Sequence, residues 1–396
     1  MYFIGKEEEQ AVLEVLRSKQ LFRYNLDPSD TTHLNKTNEF EESFSNFIGT
    51  KYCLAVSSGT AALISALAAL EVGPGDEVII PAYTFIANAH AILAVGAIPI
   101  IAEIDSTLTL DPVDVQKKIT KRTRAVIAVH MVGQPCNLSA IRRIAKSNQI
   151  HLVEDSCQST GGFYKGKPLG SYGDLGCFSF NYFKAMTCGE GGAIVTNNRT
   201  LLERATAYHD PGYLFREHKN KRIESFAGHN YRINEISSAI LSSQLKRLPV
   251  WIEKLMNSRD FLYGELQEKL KLVPIPSNDP KGGASSHVFF KFSTEDEAMN
   301  FLMATYTAGV SAFRPFDSNR HIFIHWDHIL KRRGAHTSRS NPYRNKSFPT
   351  DVKYTKRMCQ SSQSILKRTV GIPIHPDWNQ ASLKKMVKSL YEHYCQ

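Results

Sequence analysis

The stretch YCLAVSSGTAALISALAAL, Tyr52–Leu70, decides the fold. YCLAV is a short apolar run rich enough in branched and aromatic residues to read as a buried strand. SSGT follows at once, and AALISALAAL is long and apolar enough for a buried helix. A strand that turns into a helix across a Ser/Gly/Thr corner is the opening half of a βαβ unit. The same alternation repeats downstream. Glu77–Ile80, Pro99–Glu103, Ala125–Val129 and His151–Glu154 read as strands. Thr84–Val95, Pro112–Ile119 and Leu138–Ser147 read as the helices between them. The expectation is an α/β fold with a mostly parallel sheet and helices on both faces.

Upstream, GKEEEQAVLEVLRSKQ and Glu41–Ile48 have the periodicity of amphipathic helices. Downstream, Gly176–Phe180 and Ala193–Thr196 read as two strands around a glycine-rich loop, Asn181–Gly192. Beyond about Leu245 the pattern loosens to helices at Val250–Lys271, Glu295–Thr307 and Gln380–Tyr394, with a strand at His287–Phe292. This predicts a large α/β domain over 1–245 and a smaller α+β domain over 246–396.

The 396 residues suffice for two cores, and 42% hydrophobic with 22% charged residues is ordinary for a globular chain. The formal net charge of +10 favours an anionic partner. Much of it is local, in the basic stretch Lys331–Arg357, which reads first as a solvated insertion. That stretch matches no nucleic-acid module, so no nucleic-acid partner is expected. The seven cysteines are odd in number and lack ligand spacing, which excludes a disulfide framework and a metal site and points to a reducing, cytoplasmic setting. No apolar run is long enough to span a membrane. The glycine loop leads into a strand rather than a helix, against a nicotinamide-binding fingerprint.

Four features stand where strands end or helices begin, the usual ligand position in open α/β sheets. Ser57-Ser58-Gly59-Thr60 suits a phosphate at a helix N-terminus, or simply caps that helix. Asp155 ends the strand HLVE, where a buried carboxylate needs a cationic or hydrogen-bonding partner. Lys184 follows Phe178-Ser179-Phe180 in a loop otherwise poor in charge. Gly228-His229-Asn230-Tyr231-Arg232 precedes an amphipathic helix, Ile236–Leu245. Each is weak alone. Cys157 and Cys188 read as small apolar fillers.

In their order, SSGTAAL, GDEVIIPAYTFIANAHAI, VEDSCQSTGGFYKGKPLGSYGDLGCFSF, CGEGGAIVTN and HNYRINEISSAI resemble the DegT/DnrJ/EryC1/StrS family of sugar aminotransferases, of the aspartate-aminotransferase fold. The resemblance implies pyridoxal 5'-phosphate as cofactor, Lys184 as its Schiff-base lysine and Asp155 facing the pyridine nitrogen. It implies Gln158 near the phenolic oxygen, Phe85 stacked on the ring, and Gly59, Thr60 and Ser179 around the phosphate. Asn230 would reach the phosphate from a second subunit, which implies a homodimer. An amino-acid donor, glutamate, and a keto-sugar acceptor follow. Relatives that remove a sugar hydroxyl carry His in place of the lysine, so Lys184 argues against that branch.

LFRYN (Leu21–Asn25), VHMVG (Val129–Gly133) and Phe313–Asp327 depart from the common pattern and resemble the branch that aminates position 8 of a 3-deoxy-octulosonate. On that reading Arg23, His130, Arg314 and His321 are candidate substrate contacts. Most relatives act instead on nucleotide-linked keto-hexoses.

Overall fold

Tyr52–Val56 (β1) opens a seven-stranded sheet in a computed structural model that describes residues 4–27, 29–211, 223–335, 341–349 and 351–395. Two helices precede it, α1 (Lys6–Ser18) and α2 (Lys36–Ile48). After β1 come α3 (Gly59–Ala69), β2 (Glu77–Pro81), α4 (Ala87–Ala94), β3 (Ile98–Ala102), α5 (Pro112–Lys118), β4 (Thr123–Val129), α6 (Leu138–Ser147) and β5 (His151–Asp155). A small hairpin, β6 (Phe163–Tyr164) and β7 (Lys167–Pro168), leads to β8 (Leu175–Ser179), β9 (Gly192–Thr196) and α7 (Arg199–His209). The sheet order is β1-β9-β8-β5-β4-β2-β3. Its pairs are parallel from β3 through β8, and β9 alone runs against its neighbours. The expected mostly parallel α/β sheet is therefore present.

Caps explain where the helices start. Ser58, Asn137, Asn198, Asn234, Thr294 and Asn379 each accept a backbone N–H from the first turn of the following helix, which satisfies a donor that has no intrahelical partner. Strands β2 and β8 are buried along their whole length, as parallel strands covered on both faces must be.

The remaining chain carries α8 (Glu235–Leu270), β10 (Val273–Pro274), β11 (His287–Lys291), α9 (Glu295–Thr307), α10 (Asp327–Leu330), α11 (Gln360–Lys367), β12 (Thr369–Pro373) and α12 (Gln380–Tyr394). β10, β11 and β12 form an antiparallel sheet covered by α9, α12 and the end of α8. Two features differ from the sequence reading. The helices expected at 236–245 and 250–271 are one 36-residue helix that runs through Pro249, across the boundary expected at 245/246. Proline removes one donor from such a helix, and the buried residues on both sides of it, Leu245, Leu248, Ile252 and Leu255, supply apolar contacts that hold it together.

The second difference concerns residues 322–366. The described hydrophobic residues of this segment pack largely into the first core rather than against the small sheet. Ile322, Phe323, Trp326, Ile329, Phe348 and Tyr354 are buried with residues of α3, α4, β2 and β3. Tyr354 donates to the Pro99 carbonyl at 2.9 Å, and Phe323 N–H donates to Ala82 at 3.1 Å. Part of the basic stretch is thereby anchored. The Arg332 guanidinium lies 5.4 Å from the Phe348 ring centre and 6.0 Å from that of Tyr354. Arg339 of this stretch lies outside the described residues.

Candidate active site

The first wall of the site is the corner after β1. Ser58 caps α3 by accepting the Ala61 N–H at 3.0 Å, so the positive end of the helix faces the cavity with Gly59 and Thr60 at its tip. Gly59 has to be glycine. A Cβ there would stand 2.7 Å from Ser179 Cβ and 3.0 Å from Cys157 Sγ. The helix tip thus lies directly against the end of β8.

The second wall is the end of β5. Asp155 is 6% exposed. Its Oδ1 accepts the Cys157 N–H at 3.0 Å and its Oδ2 accepts the Asn88 amide at 2.7 Å. The adjoining Glu154 is fully buried and points the other way. It accepts the N–H groups of Gly170 at 2.9 Å, Gly173 at 2.7 Å and Tyr172 at 2.5 Å. One carboxylate of the pair organises a turn, and the other faces the cavity.

The third wall is the loop between β8 and β9. Phe180 N–H donates to Gly191 at 2.8 Å and Lys184 N–H to Asn181 at 2.9 Å. Thr187 ties the loop to α8, its N–H donating to Gln244 Oε1 at 2.7 Å. These bonds turn half-buried Lys184 back toward the strand ends.

Lys184 stands where two cavities meet. One, of about 350 Å³, is lined by Gly59, Thr60, Phe85, Asp155 and Ser179. The other, of about 390 Å³, is lined by Tyr83, Met131, Thr160, His287 and Phe313. Gln158, Lys184 and His321 border both. Gln158 Oε1 accepts the Val132 N–H at 3.0 Å, which leaves the amide N–H groups of Gln158 for the cavity.

His321 and His287 are neutral. Burial pulls both down to about 4, with the positive charges of Lys184 and Arg320 adding to the effect at His321, and His321 adding to it at His287. A serine hydroxyl meets Nδ1 of each ring, Ser318 at 2.6 Å and Ser286 at 2.9 Å. Burial also raises the Cys157 thiol well above its ordinary value, with the Asp155 charge adding to it, and burial pushes Cys188 up to about 12. Both remain thiols, and neither is poised as a nucleophile.

The structure brings Gly59, Thr60, Phe85, Asp155, Gln158, Ser179, Lys184 and His321 together around these cavities. Three expected substrate contacts are engaged elsewhere. Arg23 is 2% exposed, pairs with Glu41 at 2.6 Å and donates to Ala55. His130 is fully buried. Its Nδ1 accepts the Cys136 N–H at 3.1 Å, which puts the ring proton on Nε2, 3.1 Å from Glu154. Arg314 pairs with Glu295 and Asp317, both at 2.8 Å. Asn230 is exposed, accepts the Arg232 N–H at 3.4 Å and lines neither cavity of its own chain. Several residues had not been singled out from sequence, among them Asn88 on Asp155, Arg320 on the first cavity, and Tyr83 and His287 on the second. The i,i+4 spacing of Thr84 and Asn88 at the start of a helix beside the sheet was the available signal for Asn88.

Comparison with known proteins gives the family. Residues 3–319 match the profile of the DegT/DnrJ/EryC1/StrS aminotransferase family. Over 361 residues the chain is 30% identical to the dTDP-3-amino-3,6-dideoxy-alpha-D-galactopyranose transaminase of Aneurinibacillus thermoaerophilus, an alignment spanning 90% of this chain and 89% of that one. It is 34% identical over 277 residues to the GDP-perosamine synthase of Caulobacter vibrioides, spanning 68% and 72%. The structure of NtdA from Bacillus subtilis with bound cofactor PMP superposes with a TM-score of 0.78 at 25% identity, covering 99% of this chain and 83% of that one. The chain belongs to the DegT/DnrJ/EryC1/StrS aminotransferase family.

Proposed function

We propose that this pyridoxal-phosphate-dependent sugar aminotransferase takes its amino group from glutamate and delivers it to a nucleotide-linked keto-hexose whose reacting ring is uncharged. The residues fit the cofactor. The α3 tip, with Thr60 and Ser179, forms a cup for a phosphate at a helix N-terminus. Asp155 lines the same cavity, with Asn88 donating to its Oδ2 and the Cys157 N–H to its Oδ1. Lys184 completes it.

When bound, the cofactor supplies an aldehyde for Lys184 to bond and a ring that accepts the electron pair released at the donor Cα. The protein supplies the rest. With the cofactor bound, Asp155 would set its carboxylate against the ring nitrogen, Gln158 would turn its amide N–H groups toward the phenolic oxygen, and Phe85 would lie against the ring. The amine of Lys184 would serve as the base and acid that moves the proton of the donor Cα. In the second cavity Tyr83 and Phe313 limit water, and the neutral rings of His287 and His321 offer hydrogen bonds to sugar hydroxyls.

One observation carries the substrate reading. Among the described residues, no Arg or Lys other than Lys184 lines the second cavity. A 3-deoxy-octulosonate carboxylate would enter it with no cation but Lys184, because Arg23 and Arg314 are committed elsewhere. The relatives named above, a dTDP-sugar transaminase and a GDP-perosamine synthase, support the nucleotide-linked alternative. The test is a half-reaction. The enzyme is converted to its amine form with L-glutamate and mixed with nucleotide-linked 4-keto- and 3-keto-hexoses or with the 8-keto-3-deoxy-octulosonate. Visible absorption returns with a nucleotide-linked sugar; return with the free acid alone overturns the substrate reading.

The proposal includes a homodimer in which Asn230 of one copy serves the other copy's phosphate cup. The exposed aromatics Tyr182 and Phe183 of the Lys184 loop support it, since a second copy would cover them. Mixing inactive Lys184→Ala and Asn230→Ala proteins restores activity if the sites are shared, and leaves the mixture inactive if they are not. A cytoplasmic setting is supported by the seven cysteines, all free thiols. Among the described residues no helix is long and apolar enough to cross a membrane.

A further inference from the structure

Asn88 lies on α4, buried beneath the first cavity. Its Nδ2 donates to Thr84 Oγ1 at 2.8 Å and to Asp155 Oδ2 at 2.7 Å. Both amide hydrogens are thereby used, and both acceptors are oxygens. Turning the amide over would set its carbonyl oxygen against the Asp155 carboxylate, so only one orientation is compatible with that charge. The remaining atom, Asn88 Oδ1, is buried and has no hydrogen-bond partner. An unmatched buried carbonyl costs stability. A side chain needed only to fill this space would avoid that cost by being apolar.

We propose that Asn88 is the positioning residue of the cofactor's counter-charge: it holds the Asp155 carboxylate as an acceptor, in the orientation that meets the ring nitrogen, with Thr84 Oγ1 accepting its second amide hydrogen. The inference rests on the pyridoxal phosphate reading given above. A side-chain amide can donate but cannot take the carboxylate's proton role, so it stabilises Asp155 without competing for the ring nitrogen. The other donor, the Cys157 N–H on Oδ1, belongs to the main chain. Asn88 is therefore the side-chain hydrogen bond by which substitution alters Asp155 while leaving its own carboxylate in place.

The test compares wild type with Asn88→Leu, Asn88→Asp and Thr84→Val, each checked for folding by circular dichroism and thermal melting. Two quantities are read: the pyridoxal phosphate dissociation constant, and the pH at which the visible band of the bound cofactor titrates. Lys184, Glu190, Arg320 and neutral His321 share that cavity and are unchanged in every variant. Asn88→Leu is expected to weaken binding about tenfold. It is also expected to move the titration up by about half a pH unit, because a less firmly protonated ring draws less electron density from the nitrogen contributed by Lys184.

Asn88→Asp sets two carboxylates side by side and is expected to weaken binding more, by roughly a hundredfold. Thr84→Val leaves Asn88 in place and is expected to cost about threefold, which keeps the inference testable if the Asn88 variants do not fold. Unchanged binding and titration overturn it. Weaker binding with an unmoved titration also overturns it, since that is the result of lost packing alone. If wild type itself binds no pyridoxal phosphate, the cofactor reading has failed, an outcome separate from either.

Discussion

The two cavities that meet at Lys184 are built in different ways. The first is made from strand ends and a helix tip, and its key groups lie within or beside short sequence motifs: Gly59 and Thr60 after β1, Asp155 at the end of β5, Ser179 at the end of β8. The second collects side chains from distant segments, Tyr83, Met131, Thr160, Leu255, His287 and Phe313. Backbone geometry fixes the first, so few substitutions are tolerated there. Packing between remote segments fixes the second, so its shape can change while the fold stays. A common cofactor with a variable acceptor is what such a division allows.

The largest effect belongs to Lys184, one of the residues that both cavities share. Lys184→Ala is expected to lower turnover by at least about a thousandfold and to abolish the visible imine band that the lysine forms with the cofactor; retention of either, by stopped-flow assay or absorption spectroscopy, would break the comparison at its centre. Gly59→Val places a Cβ 2.7 Å from Ser179 Cβ. Its expected result is cofactor binding weaker by about tenfold or more, with sugar KM at saturating cofactor little changed. An effect on sugar KM alone would mean the cavities are not separate.

The second cavity carries its own pH signature. His287 and His321 are held at about 4 in the fold and regain about 6.5 on unfolding. Between those values the unfolded chain binds more protons, so stability falls as pH drops from about 6.5 to about 4, by roughly 2–3 kcal/mol for His287. Urea denaturation at pH 7 and pH 4.5 should show a smaller loss for His287→Phe than for wild type; equal losses would mean that this ring is not the source. The smallest effect is expected at Arg314. Its partners Glu295 and Asp317 are exposed, so Arg314→Ala should cost under about 1 kcal/mol and leave sugar KM within about twofold. A large rise in KM would return a cation to the substrate site.

The same contrast explains what sequence could reveal. Strands β1 to β5 were legible because buried parallel strands are short apolar runs bounded by turns. The places of Gly59, Asp155 and Lys184 on the first cavity were legible because they lie at strand ends or in the loop that follows one. Arg23 and His130 were misplaced because burial against Glu41 and Glu154 depends on contacts far along the chain. Asn88 was missed because a polar residue on an apolar helix shows its purpose only when its partner is seen. The merging of two helices through Pro249 was missed for a related reason: local rules end a helix at proline, and tertiary contacts on both sides overrode them here.

That long helix, α8, has a consequence for any attempt to divide the protein. At about 1.5 Å per residue it is a rod of roughly 54 Å. Near its start Gln244 holds the Lys184 turn, and further along Tyr263 accepts the Phe289 N–H of the small sheet at 3.1 Å. A gene split between codons 245 and 246 would leave the first turns of this rod, from Glu235 to Leu245, on one fragment and the longer remainder on the other, each with its apolar face bare. Neither fragment would be a sound stand-alone scaffold, and chimeras that exchange the acceptor side between relatives should place their junctions outside α8.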